Sequence, residues 1–360
     1  VFPATPTPIH LFGDRFHRRF APVWVKADAR TYRTTRRKNV MIGRVIPTVA
    51  ALLLAAAPCA FAQVETVAQF NPSLLETPES IAIDHHNNKY VSLALTGEIR
   101  KIAADGSQST YRMLPLGAPP LTFCGSFFAG LTGLTFDQHD NLYANLASCD
   151  PGSRGVWKIP NDGQPATRIG ALSLQSLPNG IVHHRDFVYV ADSVIGAIWR
   201  VPDTGGTAQV WAAGPELAQL PNGLPGPNGL KLFEGELYVS NPSQSTVVAV
   251  RVQPDGTAGA IRTHATGVFC DDFAFDVHGS LYCGTDPFNT VVRIAPDGSQ
   301  ETILTAADGL DGPTALLFGR AAEGFDLYVT NAAFPFFQVP PPRLPSLLRL
   351  KLQVHGFPQP

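Results

Sequence analysis

Residues 178–192 read PNGIVHHRDFVYVAD, and residues 227–241 read PNGLKLFEGELYVSN. Both open on Pro-Asn-Gly, run through an apolar stretch, turn, and end on a Tyr-Val strand. Aligned on the tyrosine, the phrase returns four more times, as PESIAIDHHNNKYVS (78–92), LTGLTFDQHDNLYAN (131–145), CDDFAFDVHGSLYCG (270–284) and PTALLFGRAAEGFDLYVT (313–330). The tyrosines are Tyr90, Tyr143, Tyr189, Tyr238, Tyr282 and Tyr328, spaced 44 to 53 residues apart. After most of them another apolar strand closes on a turn, as in EIRKIAADG, GVWKIPNDG and VVRIAPDG. Each unit therefore holds three or four short strands, and its first strand is apolar on both faces, as a fully buried strand should be. A period of about 40 to 50 residues with that content marks propeller blades. A β-sandwich with chance similarity does not explain six tyrosines in register. The expected fold is all-β: a six-bladed β-propeller with four-stranded antiparallel blades around a central channel, over residues 66–354.

The bulk numbers agree with that reading. Of 360 residues 44% are hydrophobic and 16% charged, with 32 Gly and 32 Pro, which suits a turn-rich β protein and excludes disorder and coiled coil. Ten of the 27 Lys/Arg and two of the 29 Asp/Glu lie in the first 45 residues, leaving 17 basic against 27 acidic residues in the rest. A body that acidic, with no aromatic-rich basic stripe, is a poor match for nucleic acid or an anionic membrane.

Residues 41–62, MIGRVIPTVAALLLAAAPCAFA, have the layout of a secretory signal peptide closing on Ala60-Phe61-Ala62, with cleavage before Gln63. The apolar run is too short to span a bilayer, so no membrane span is expected after cleavage. The Arg-rich segment 1–40 reads as a non-native or mis-started extension. A mitochondrial transit peptide is the rival reading of this region. Export implies a periplasmic or secreted protein, expected to be a monomer. It would leave Cys124, Cys149, Cys270 and Cys283, which permit two disulfides whose pairing the sequence does not decide.

Repeats can be read vertically. The second residue of each phrase opens the strand beside the channel, and blade by blade these are Glu79, Thr132, Asn179, Asn228, Asp271 and Thr314. Asp276 aligns with Asp84 and Asp137, which puts Asp271 rather than Asp272 in the ring. Two carboxylates and two amide oxygens converging on one axis suit Ca²⁺, and less strictly Mg²⁺, Mn²⁺ or another divalent cation. No histidine or thiol stands in the ring, which argues against zinc. Taken singly, either Pro-Asn-Gly fits ordinary turn chemistry. Together with Glu79 and Asp271 at the same blade position, the asparagines read as metal ligands, because two carboxylates facing one narrow channel repel unless a cation relieves them.

The six-blade layout, the Pro-Asn-Gly openers and the LYVAD-type second strands resemble the SMP-30/gluconolactonase/luciferin-regenerating-enzyme family of calcium-dependent propellers, over about residues 75–352. PESIAID is also similar to strictosidine-synthase-like and NHL-type propellers. In the SMP-30 family a Glu of the first blade, two Asn and one Asp hold a single divalent cation at the top of the channel. The matching positions are Glu79, Asn179, Asn228 and Asp271, in the same chain order. The ligating Asp is the family's proposed base, which implies that role for Asp271. Sugar-lactone members carry an Arg two residues before the first metal-binding Asn, where this chain has Leu177. That departure argues against sugar-acid lactones and for a more apolar substrate.

A divalent ion polarises an ester carbonyl and helps ionise a water, and a nearby carboxylate can serve as base. Asp272 should alternate away from the channel and read as structural. Three residues past the tyrosines, at the same end as the ring, stand Asp192, Asn241 and Asn331. These, with Thr132 and Thr314, are candidate substrate contacts, and each is equally an ordinary strand residue. The Phe- and Pro-rich stretch AAFPFFQVPPPRLP (332–345) reads as an apolar rim, a lid or a surface strap. His85, His86, His139, His183, His184 and His278 fall near turns at the opposite end. No nucleophile elbow, phosphate loop or dinucleotide fingerprint occurs. Two readings follow. One is an exported metal-dependent hydrolase of a lactone or small ester. The other is a non-catalytic propeller in which a structural ion supports a site for a ligand or partner. A propeller lyase or oxidoreductase shares the same fold-level expectation.

Overall fold

Six four-stranded antiparallel sheets succeed one another along the chain in a computed structural model that describes residues 64–125, 127–335 and 344–359. The expected signal peptide and extension (1–62), and residues 336–343 of the Phe/Pro stretch, lie outside the described residues. The innermost strands are Pro78–Ile83, Gly130–Phe136, Pro178–His184, Leu230–Phe233, Phe273–Phe275 and Pro313–Phe318. Each hydrogen-bonds to the strand bearing the repeated tyrosine, and that strand to the next. This is the six-bladed propeller expected from the repeats.

Blade six is completed from the far end of the chain. Its strands Pro313–Phe318, Asp326–Asn331 and Ser346–Lys351 are joined by Val64–Gln69, which pairs antiparallel with Ser346–Lys351 as the outermost strand. The ring closes because the first strand of the domain supplies the fourth strand of the last blade, so the edge of Ser346–Lys351 is covered.

The core sits between blades. Six clusters of buried apolar side chains fill the six blade-to-blade interfaces, from Tyr90, Ile99, Leu131 and Phe136 between blades one and two to Ile81, Val91, Tyr328 and Leu347 between six and one. Both faces of every blade are thus covered, which is why the first strand of each phrase lacks polar alternation.

The tyrosine register has a physical cause. Tyr90, Tyr143 and Tyr282 donate their hydroxyls to Oδ2 of Asp84, Asp137 and Asp276, at 3.2, 3.2 and 3.1 Å. Oδ1 of each Asp accepts backbone N–H groups two and four residues on, fixing the turn that leads into the tyrosine strand. Tyr143→Phe is expected to lower stability by about 1 kcal/mol and the melting temperature by about 2 °C, read by thermal unfolding. An unchanged melt would show that packing alone places the ring.

Cys124 is bonded to Cys149, tying the Phe123–Cys124/Phe127–Phe128 hairpin to blade two, and Cys270 is bonded to Cys283 within blade five. Such bridges suit an oxidising compartment. Among the described residues no helix is long and apolar enough to cross a membrane.

Candidate functional site

Pro-Asn-Gly is not a turn in blade three, since Pro178, Asn179 and Gly180 all lie within the innermost strand. What the motif permits is close approach between neighbouring blades. A Cβ on Gly180 would stand 2.3 Å from the Asn228 carbonyl oxygen, and one on Gly229 would stand 2.3 Å from Asp272 Oδ1. With no side chain in the way, Gly180 N donates to Asn228 O at 2.9 Å and Gly229 N to Asp271 O at 3.0 Å. The inner strands of blades three, four and five are stitched at that level, which brings the residue before each glycine to the same height on the channel wall.

Glu79, Asn179, Asn228, Asp271 and Thr314 line one cavity of about 10 Å³ at that end of the channel, together with Asp272 and three glycines of the inner strands. The four expected metal ligands are therefore gathered in one place. Glu79, Asn179 and Asp271 are part-exposed as residues and Asn228 is buried. Glu79 Oε2 is nonetheless shut off from solvent and has no hydrogen-bond partner. Asn228 Nδ2 donates to Asp271 Oδ1 at 2.5 Å, and Asn179 Nδ2 to Ser193 Oγ at 3.3 Å.

The electrostatics follow from that crowding. Burial, then the charges of Asp286 and Asp272, push the Glu79 carboxyl up to about 8. Asp271 is raised well above the carboxylate range by burial and by Glu79, Asp286 and Asp272, with the Asn228 amide opposing. Asp286 is raised to about 7 by burial and then by Asp311, and its Oδ1 also lacks a partner. Asp272 is raised by burial against the pull of Lys231, whose Nζ lies 2.7 and 2.5 Å from its two oxygens. Asp272 is thus one half of an internal ion pair.

This donor set fits a hard divalent cation. It offers two carboxylates, one with an unsatisfied oxygen, and two amides, in a space of single-water scale. Among the described residues no three His, Cys, Asp or Glu side chains form a metal site by themselves, so a cation at the ring needs the amide oxygens. Asn228 would have to turn its Oδ1 toward the channel in exchange for its present bond to Asp271.

The residues expected to contact substrate have partners within the protein. Thr132 spends its hydroxyl on Pro178 O (2.7 Å) and Thr314 on Pro78 O (3.1 Å), each in the neighbouring blade. Ser92, Ser193 and Ser240 make equivalent links to Thr132 O, Pro227 O and Asp271 O. These hydroxyls latch blade to blade. Asp192, Asn241 and Asn331 are fully buried. Asp192 accepts from the N–H groups of Leu177 and Ile195, from Trp199 Nε1 and from Ser176 Oγ. Asn241 donates to the carbonyls of Glu216 and Ala218, and Asn331 to that of Gly309. All three anchor loops, because a strand-terminal polar group with no water must satisfy the backbone around it. The histidines lie toward the opposite end, with His183 stacked on Tyr143 and its Nε2 3.0 Å from Asp203 Oδ2.

Asp286 was not found from the repeats. It follows Thr285 at the end of the blade-five tyrosine strand, one position past the residue compared between blades. At the other end of the channel, Gln359 bonds both backbone groups of Leu232, and it lines a second cavity of about 30 Å³ with Arg320, Lys231 and Ile81. The C-terminal segment thus stands beside that end of the channel.

Comparison with solved structures places this architecture. A luciferin-regenerating enzyme superposes with a TM-score of 0.61 at 12% identity, covering 83% of this chain and 98% of its own. Regucalcin from Agrobacterium tumefaciens, described as a calcium-binding protein, gives 0.59 at 13% identity, covering 83% and 97%. A gluconolactonase from Xanthomonas campestris gives 0.57 at 19% identity, covering 81% and 90%. In fold this is a six-bladed propeller like these three. No protein-family model matches the sequence, and no curated protein matches it. Propeller enzymes of lyase and dehydrogenase type share the fold with SMP-30-like propellers, so the architecture leaves the chemistry to the ring.

Proposed function

We propose that the protein is an exported hydrolase of a lactone or small ester that works with a divalent cation, Ca²⁺ before Mg²⁺ or Mn²⁺. Glu79, Asn179, Asn228 and Asp271 hold the ion. The observation that carries the reading is the pair of crowded carboxylates, Glu79 with an unpartnered oxygen, facing two asparagines in one small cavity. Bound there, a divalent cation would polarise an ester carbonyl and ease the ionisation of water. Asp271 has the second role of general base, taking the proton from the attacking water. The likeness in fold to a gluconolactonase and to a calcium-binding regucalcin supports the assignment.

The test is a panel of aliphatic, aromatic and sugar lactones offered to the mature chain with Ca²⁺ and with chelator. Chelator-sensitive turnover is the expected result. A folded, metal-loaded protein that turns over no lactone would favour the second reading, a binding propeller with a structural ion. The small size of the ring cavity speaks for that alternative.

A further inference from the structure

The two ends of the channel differ in chemistry. Antiparallel order puts the loops after each second strand, and those joining one blade to the next, at the end that carries Glu79 and Asp271. Across the described residues of those loops there are eight Asp or Glu, a single arginine and no lysine. The arginine is Arg154, which is buried, with its guanidinium spent on the carbonyls of Ser148, Ser176 and Cys124. Two arginines reach these loops from neighbouring strands, but Arg100 is paired with Glu76 and Glu98, and Arg168 donates to the carbonyls of Pro151 and Arg154. Among the described residues the loops themselves therefore offer no unpaired cation.

The same loops hold out large apolar side chains. Leu121, Phe123, Phe127, Ile195, Leu220 and Phe288 are each at least 39% exposed. Phe123 and Phe127 contact Phe128 edge-on, at 4.7 and 5.6 Å, in the hairpin pinned by the Cys124–Cys149 bond. Phe288 meets Phe269 edge-on at 5.2 Å. At the opposite end only Val277 is a comparably exposed large apolar side chain among the described residues. Single exposed apolar residues are ordinary; their segregation to the end bearing the crowded carboxylates is not.

We infer that this mouth binds an uncharged, apolar small molecule, so that the substrate class is the lactone or ester of a hydrocarbon chain and not a sugar acid or other anion. An anion would meet a set of acidic loops that offer it no unpaired cation among the described residues. A hydrocarbon chain needs none, and gains by leaving water beside the phenyl and leucyl groups. The lack of basic residues also removes the usual attraction to anionic lipid. The word substrate rests on the hydrolase proposed above; the binding does not.

The experiment uses the mature chain with Ca²⁺ and measures calorimetric binding of non-hydrolysable N-alkyl lactams from butyl to decyl, beside alkyl carboxylates of equal length. Affinity is expected to rise about threefold per methylene, with carboxylates roughly tenfold weaker or more. In the double variant Phe123→Ser/Phe127→Ser, whose side chains are exposed, the dependence on chain length is expected to flatten while the thermal melt stays in place. Affinity indifferent to chain length, or carboxylates binding as tightly as lactams, overturns the inference. So does a flat lactam series accompanied by capture on neutral phosphatidylcholine vesicles, or by dimer formation, that the double variant loses. If long lactams bind as expected and no lactone of any length is turned over, the hydrolase reading falls and the inference stands.

Discussion

Asp271→Asn is expected to remove metal-dependent hydrolysis, lowering kcat/KM on the best lactone by about a thousandfold while leaving the fold intact. The substitution keeps the side-chain volume and removes the charge. It tests two roles at once, and calorimetry separates them. As a ligand, Asp271 provides half of the negative charge of the ring, so Ca²⁺ affinity should fall roughly tenfold or more. As a base, it should depress turnover even when Ca²⁺ is raised to saturate the weakened site. Full recovery at saturating Ca²⁺ would leave ligation as its single role. Unchanged affinity and unchanged turnover would remove Asp271 from the site altogether. Stability should not suffer, because burial and the Glu79, Asp286 and Asp272 charges all disfavour the ionised form.

The metal-free protein is expected to lose stability as pH rises from about 5 to 8, and saturating Ca²⁺ to abolish that slope. Glu79 stands near 8 in the folded chain against an ordinary 4.5, and Asp286 near 7 against 3.8. A carboxyl raised on folding keeps its proton where the unfolded chain has released it. Its contribution is therefore whole below about pH 4 and drains away as pH climbs to the folded value. Each unit of separation is worth about 1.4 kcal/mol, but interacting sites do not add. A net loss of about 3 kcal/mol, or about 6 °C in melting temperature, is the scale expected. Two histidines tilt the other way below about pH 6.5, because burial holds His184 and His264 down. The decisive comparison is with Glu79→Gln, which should flatten much of the decline in chelator. A chelated wild type that melts no lower at pH 8 than at pH 5, matching Glu79→Gln throughout, would show that the ring carries no such charge conflict.

The asparagines show how far the repeats carry an argument. A turn opener and a ligand read alike in the sequence, and only the gap beside Gly180 and Gly229 separates the two, because it shows strands of adjacent blades in contact where a turn would hang free. Thr132 and Thr314 show the reverse. They share the ring position in the sequence, yet each hydroxyl lies within 2.7–3.1 Å of a neighbouring blade's carbonyl.

From the sequence alone came the number of blades, the order of strands and the identity of the four residues gathered at the ring. Those properties are local: alternation and turn chemistry are written within each unit, and the Asp–Tyr spacing within three of them, and closing the ring turns an equivalent position into a shared place. The tertiary structure alone decided which strand closes blade six, which cysteines pair, that Asp192, Asn241 and Asn331 anchor loops, and that Asp286 is buried close enough to raise the ring carboxyls. Each depends on atoms from distant segments competing for one buried polar group or one open edge. A repeat states where a side chain begins, and the neighbours that satisfy it come from elsewhere in the chain.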